Sequence, residues 1–309
     1  MRAVMNDEDL EQQFQKDGYV TIPFLNAQEV ADLKKGFFDL LLKSSGNITA
    51  DEIGIGIPIT YDFTFIDKNP EFKQAVYDII TKYFQPHVKK WLADYRPCIA
   101  NDILKNTDTG EVPLHQNCAF VDERTCISVS IWFPLVNSNE TNGTLQVVRG
   151  IHTLFGEIRG PMIPWEHEGI KHDIINHHLK PMNIKAGESV VLEDSIIHYS
   201  ALNKTNNLRL AIQLILVPSE EKSIHYHMYS ATNPDKVQVL EVDTNFYMQF
   251  NPWKKPENVK VLRSFSYQPF AINKNEFGEN IFAPRFDEAA PASFSHKLKS
   301  FLGFTNAAN

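Results

Sequence analysis

The chain has 309 residues, 43% of them hydrophobic and 22% charged, which is the composition of a globular protein with ample material for a buried core. A formal net charge of −8 leaves no basic excess to neutralise phosphates, so a general nucleic-acid binder is excluded. Three cysteines (Cys98, Cys118, Cys126) lack CxxC spacing and cannot build a disulfide framework, which predicts a reducing compartment.

The opening MRAVMNDEDLEQQF is charged and has no apolar h-region. No apolar run approaches the roughly eighteen residues of a membrane span. A cytoplasmic location without membrane contact is the expectation. Residues 6–17 read as a short amphipathic helix with Leu10 and Phe14 on one face, followed by a strand at Gly18–Ile22 that Pro23 closes. Asn26 is placed to cap a second helix, Ala27 to about Lys43, in which Val30, Leu33, Phe37 and Leu41 keep a helical period. Residues 45–60 are predicted irregular and 70–94 helical, with Phe72, Val76, Ile79, Ile80 and Tyr83 on one stripe.

From Cys98 onward, β-rich runs at 98–104, 114–121, 126–136, 144–149, 182–184, 189–193 and 207–218 are separated by turn signals such as Asn142-Gly143 and Ala186-Gly187. The count fits a mainly β protein, a double-stranded β-helix or jelly roll with helices at its N-terminal side. Residues 150–181, with five histidines, are predicted to form a long surface loop near one mouth. The expected organisation is a core over 1–218 and a C-terminal extension over 219–284 that serves as a lid or oligomer contact. A loosely held tail at 285–309 carries a short helix around Phe294–Phe304, whose phenylalanines also suit self-association.

The chemistry centres on His115-Gln116-Asn117, answered downstream by His198 and Arg209. On a strand, residues i and i+2 share a face, so His115 and Asn117 point the same way and Gln116 the other. His198 follows the apolar run Ser189–Ile197 and supplies a third contact from a neighbouring strand. Three donors on one side of a metal leave the opposite side open for substrate and dioxygen. Arg209 opens the run Leu208–Val217, with Ala211 and Gln213 on its face. A buried arginine beside a metal suits the distal carboxylate of a dicarboxylate, which is the logic of 2-oxoglutarate activation.

Over roughly residues 8–218 the sequence resembles the phytanoyl-CoA dioxygenase-like iron(II)/2-oxoglutarate oxygenases. The residues that carry the resemblance are FQKDGYV at 14–20, GEVPLHQN at 110–117, NGTLQVVRGIH at 142–152 and GESVVLED at 187–194, leading to His198 and Arg209. The resemblance implies iron(II) and 2-oxoglutarate as cofactors, and dioxygen plus a small or medium organic molecule as reactants. Hydroxylation, desaturation and oxidative cyclisation are the implied outcomes. It makes His115 and His198 imidazole ligands of iron and Arg209 the grip on 2-oxoglutarate. Asn101, Lys105 and Gln213 join Arg209 as cosubstrate contacts, and Trp132 becomes a wall of the pocket.

Position 117 departs from the family, which has aspartate there. Asn117 would ligate through its amide oxygen, or the chain would be a catalytically weakened form that serves as a binding module. Alternatively another carboxylate, Asp122 or Glu193, would stand in. A halogenase also lacks the carboxylate, but keeps a glycine or alanine there to make room for halide. An aspartate substituted at 117 is expected to tighten iron(II). Elsewhere the expectations are structural. His152 fixes its Gly-x-His turn, and His167, His172, His177 and His178 lie on a solvated loop. His225-Tyr226-His227 forms a strand surface, Cys118 and Cys126 fill core, and Trp253 anchors the C-terminal segment.

Overall fold

The computed structural model describes residues 2–48, 59–152, 156–228, 236–252, 254 and 256–280. Most of the 45–60 stretch, Trp253 and the tail with its predicted helix lie outside the described residues. The chain starts with α1 (Glu8–Asp17), β1 (Tyr19–Pro23), α2 (Ala27–Leu41), β2 (Asp62–Phe63), α3 (Pro70–Trp91) and β3 (Tyr95–Lys105). Then come β4 (Val112–His115), β5 (Val129–Pro134), β6 (Gln146–Val147), α4 (Lys171–His177), β7 (Lys180–Pro181), β8 (Glu188–Glu193) and β9 (His198–Ser200). The last described elements are β10 (Arg209–Pro218), β11 (Ser223–Met228), β12 (Lys236–Val242), α5 (Thr244–Met248), β13 (Lys260–Ser266) and α6 (Lys274–Asn280).

The helix starts follow from their caps. The Asp7 side chain accepts from Leu10 N, and Asn26 and Glu29 form a reciprocal capping box at α2. Helix α1 stops at Gly18, whose φ of 80° is left-handed and whose missing Cβ leaves room for the His152 ring, which a Cβ would meet at 2.5 Å. That contact and the Arg149–Asp17 ion pair tie the first helix to the turn at 142–152.

Six strands in the order β1-β8-β5-β10-β3-β2 form one antiparallel sheet, and β4-β9-β6-β7 form a second. This is the jelly-roll architecture that the strand count predicted. Alternation along the central strands gives the larger sheet two different faces. Val129, Ile131, Phe133, Val191, Leu210, Ile212, Leu214 and Leu216 join Leu33, Phe37, Phe72, Val76, Ile80 and Phe84 of α2 and α3 in one core. The intervening residues Ser130, Trp132, Leu192, Arg209, Gln213 and Ile215 line a cavity on the other face. Strands β11-β12-β13 form a separate three-stranded sheet after the core.

Four expectations need correction. The 114–121 run is not one strand. Strand β4 ends at His115, after a register irregularity over Val112–His115, and the chain leaves the ladder so that Asn117 N bonds to Asp194 O. The 182–184 run likewise yields only the two-residue β7 just before it, plus an isolated bridge between Ile184 and Ser138.

The 150–181 segment is a solvated loop only in part. Ile158, Arg159, Glu166, His167, Ile170 and Ile174 are buried and Lys171–His177 is helical. Arg159 pairs with Glu123 and the His167 ring lies against Trp165 and Phe277, whereas His172 and His177 are exposed. His225 and His227 are not on a surface either. Every residue of β11 is buried because both faces of this strand are covered, and the His225 ring sits among Phe246, Tyr247 and Phe250.

Candidate active site

A cavity of about 250 Å³ lies between the two sheets, and His115, Asn117, His198 and Arg209 all line it. His115 and His198 are register partners on β4 and β9, with ring centroids 4.1 Å apart. His198 thus starts its own strand, separated from β8 by the turn over 194–197. Each Nδ1 lies against a backbone carbonyl two residues back, Pro113 O at 2.7 Å and Ile196 O at 2.9 Å. A carbonyl only accepts, so Nδ1 carries the proton in both rings and Nε2 keeps its lone pair. Burial pushes the His198 pKa down to about 3 and moves His115 the same way, which keeps both rings neutral. Neutral imidazoles with oriented rings are what a metal requires.

Asn117 is buried, and its backbone N–H, its backbone carbonyl and its Nδ2 are each held by close hydrogen bonds. Its backbone N–H donates to Asp194 O at 3.0 Å, and its carbonyl accepts from Arg159 Nε at 2.8 Å. Its Nδ2 donates to Asp194 Oδ1 at 2.8 Å and to Ser130 Oγ at 3.2 Å. Among the described residues, Oδ1 has only the 3.5 Å contact from Gln213 Nε2. Neither carboxylate considered as a substitute is in the cavity wall. Asp122 is held by Arg124, and Glu193 accepts from Ser195 Oγ. Among the described residues, no group of three or more His, Cys, Asp or Glu side chains could hold a metal.

Arg209 is fully buried on the first residue of β10. Its Nη2 donates to Gly143 O at 2.8 Å and Ser200 Oγ at 3.0 Å, while Nε and Nη1 have no acceptor among the described residues. Gly143 lets its turn lie against the 201–202 backbone, since a Cβ there would lie 2.3 Å from Ala201 O and its φ is +70°. Burial lowers the guanidinium pKa to about 9, so the group remains a cation at neutral pH. Two unpaired donors on a buried cation are costly unless an anion completes them.

The remaining predicted residues divide. Trp132 lines the cavity with its ring 5.7 Å from the Arg209 guanidinium carbon. Asn101 and Gln213 line it as well, linked by Asn101 Nδ2 donating to Gln213 Oε1 at 3.3 Å. Lys105 is not in the wall. Its Nζ is taken by Ser200 Oγ at 2.5 Å, Ala201 O at 2.7 Å and Ser200 O at 3.1 Å, so it braces the strand that holds Ser200. Gln116, expected to face away, borders the cavity while its amide bonds Ser195 O and its carbonyl accepts from Trp165 Nε1.

Sequence reasoning missed two groups. Tyr61, Phe63, Phe65 and Phe120 form an aromatic wall, and the i, i+2 spacing of Tyr61 and Phe63 at β2 was a readable sign of one shared face. Asp194 was missed because its importance lies in contacts with residues distant in sequence. Burial raises its carboxyl to about 6, against hydrogen bonds from Ser130 and Asn117 that lower it.

Residues 14–211 match the phytanoyl-CoA dioxygenase (PhyH) family, more than half of the chain. A Dictyostelium discoideum protein, the phytanoyl-CoA dioxygenase domain-containing protein 1 homolog, is 25% identical over 262 residues, 69% of this chain and 92% of that protein. Among solved structures, the α-ketoglutarate-dependent carbocyclase SnoK from nogalamycin biosynthesis superposes with a TM-score of 0.52 at 13% identity, covering 83% of this chain and 96% of that one. The epimerase SnoN, in complex with Fe3+, α-ketoglutarate and nogalamycin RO, gives 0.50 at 18% identity, covering 70% and 85%. These likenesses show a shared fold. The family match makes this chain a member of the phytanoyl-CoA dioxygenase family of iron(II)/2-oxoglutarate-dependent dioxygenases.

Proposed function

We propose that this protein oxidises a C–H bond of a small or medium organic substrate, with hydroxylation as the default outcome and desaturation or cyclisation as variants. His115, His198 and the Oδ1 of Asn117 would hold iron(II), and Arg209 would bind the distal carboxylate of 2-oxoglutarate. One observation carries this reading: a buried guanidinium with two unpaired donors in the wall of the same cavity as two facing, neutral imidazoles. That donor set fits both groups. Bound together, iron(II) and 2-oxoglutarate supply the activation of dioxygen. The rest is the work of the chain. The carbonyls of Pro113 and Ile196 hold the imidazole tautomers, and Trp132 flanks the cosubstrate arm. The aromatic wall of Tyr61, Phe63, Phe65 and Phe120 excludes water from the substrate end.

The carboxamide of Asn117 fills the position where a halide would have to sit, which favours oxygenation over halogenation. We place the protein in the cytoplasm; no helix among the described residues is long and apolar enough to cross a membrane. We also assign the extension over 219–284 a buttressing role, because Tyr247 and Phe250 stack on Phe65 and Tyr247 on Phe120, both wall residues.

The test is an anaerobic titration with iron(II) and then 2-oxoglutarate, followed by admission of oxygen. A charge-transfer band that bleaches with succinate release is the expected result. No band and no succinate would make the protein a binding module of the same fold.

A further inference from the structure

The carboxylate expected at position 117 is absent, yet a carboxylate stands directly behind it. Asp194 is fully buried in the turn between β8 and β9, and grips Asn117 twice: its backbone O accepts from Asn117 N at 3.0 Å and its Oδ1 from Asn117 Nδ2 at 2.8 Å. Ser130 Oγ donates to the same Oδ1 at 2.5 Å, so the Ser130 oxygen is left to accept from Asn117 Nδ2. Both neighbours of Nδ2 are therefore acceptors. A flipped amide would set its oxygen against a carboxylate, so only one orientation of Asn117 is compatible with its surroundings. In that orientation Oδ1 belongs to the cavity.

We propose that Asp194 is a positioning residue for the metal centre, holding the Asn117 carboxamide with Oδ1 turned into the cavity and supplying from behind the negative charge that the family carries at position 117. The inference rests on the reading of Asn117 as a ligand. A carboxylate hydrogen-bonded to the NH2 of an amide draws charge onto the amide oxygen and makes it a better donor to a cation. Second-layer partners of this kind commonly change metal affinity by about 10- to 100-fold. The geometry also changes what Asn117→Asp does. Alone it sets a carboxylate against a carboxylate; combined with Asp194→Asn it exchanges the two groups and restores one donor facing one acceptor.

The experiment measures cobalt(II) and anaerobic iron(II) affinity at pH 8 by competition with a chromophoric chelator, without 2-oxoglutarate. The proteins are the wild type, Asp194→Asn, Asn117→Asp, the double variant and His198→Ala. Asp194→Asn is expected to weaken the metal on the order of tenfold in the wild-type background. In the Asn117→Asp background it is expected to tighten it. Opposite directions in the two backgrounds support the proposal; the same direction in both, or no effect in either one, overturns it. Should Asp194→Asn alone fail to fold, as read by circular dichroism, the other pair decides. A double variant tighter than Asn117→Asp supports the proposal, and one equal or weaker overturns it. His198→Ala separates the two levels. If it abolishes binding while Asp194→Asn changes nothing, only the role of Asp194 falls; if it leaves affinity intact, the metal is elsewhere and the reading of the site falls with it.

Discussion

Strand β10 serves two regions of the molecule at once. Its residues Leu210, Ile212, Leu214 and Leu216 face the helices, while Arg209, Gln213 and Ile215 face the cavity. All ten residues of the strand are buried, so burial alone does not separate the faces. Satisfaction does. The helix face is hydrocarbon against hydrocarbon. The cavity face holds a cation with two unpaired donors and an amide chain with long contacts of 3.3 and 3.5 Å. One face stabilises the fold and the other tolerates an energetic cost that a ligand would offset.

That contrast breaks most sharply at Leu214. Leu214→Ala removes buried hydrocarbon from a core with no water to replace it, and should cost about 2–5 kcal/mol. Denaturant unfolding measures this, and 2-oxoglutarate affinity per folded molecule should stay as in the wild type. A change in affinity at full folding would show that the two faces are not independent.

Arg209→Met is the converse. It keeps volume but removes the buried cation and its two unpaired donors, so stability should be unchanged or higher. Affinity for 2-oxoglutarate should fall by about 1.5–3 kcal/mol, the range for a charge-assisted hydrogen bond and on the order of tenfold to a hundredfold. Calorimetric titration of the iron-loaded protein with 2-oxoglutarate checks it. Unchanged affinity would remove Arg209 from the cosubstrate site.

How far these two faces were legible in the sequence depended on what lay outside each strand. For β10 and β5 the alternation rule worked because each face meets a different neighbour, so Arg209 and Gln213 separate cleanly from Leu210 and Leu214. The same rule gave a surface for His225 and His227, since polar–apolar alternation cannot tell a solvated face from one covered by a second layer such as Phe246 and Phe250. At Asn117 the parity argument reached the cavity although the strand ends two residues earlier, because the bond from Asn117 N to Asp194 O redirects the chain. Between the adjacent acids Glu193 and Asp194, the sequence pointed to the first as a substitute carboxylate. Which of them contacts Asn117 is decided by the turn after β8, and no local pattern encodes that.

The finest test of the contrast is at Lys73. This buried lysine on α3 donates to Phe65 O at 2.8 Å and Phe250 O at 3.3 Å, joining the aromatic wall to the C-terminal extension. It is a charge packed among buried groups, where taking it out of water is costly. Burial lowers its pKa from 10.5 to about 8, against the attraction of Asp67 that raises it. Between those two values the unfolded chain holds a proton that the folded chain has released. Stability from this group therefore rises as pH increases from about 8 towards 10.5, by at most about 1.4 kcal/mol per pH unit. Lys73→Met removes the titration. The unfolding free energy of wild type minus variant should be flat below pH 7.5 and climb above 8. A difference that stays flat through this window would mean that Lys73 keeps its proton in the fold, paired by the two carbonyls strongly enough to make a buried cation a stable clasp.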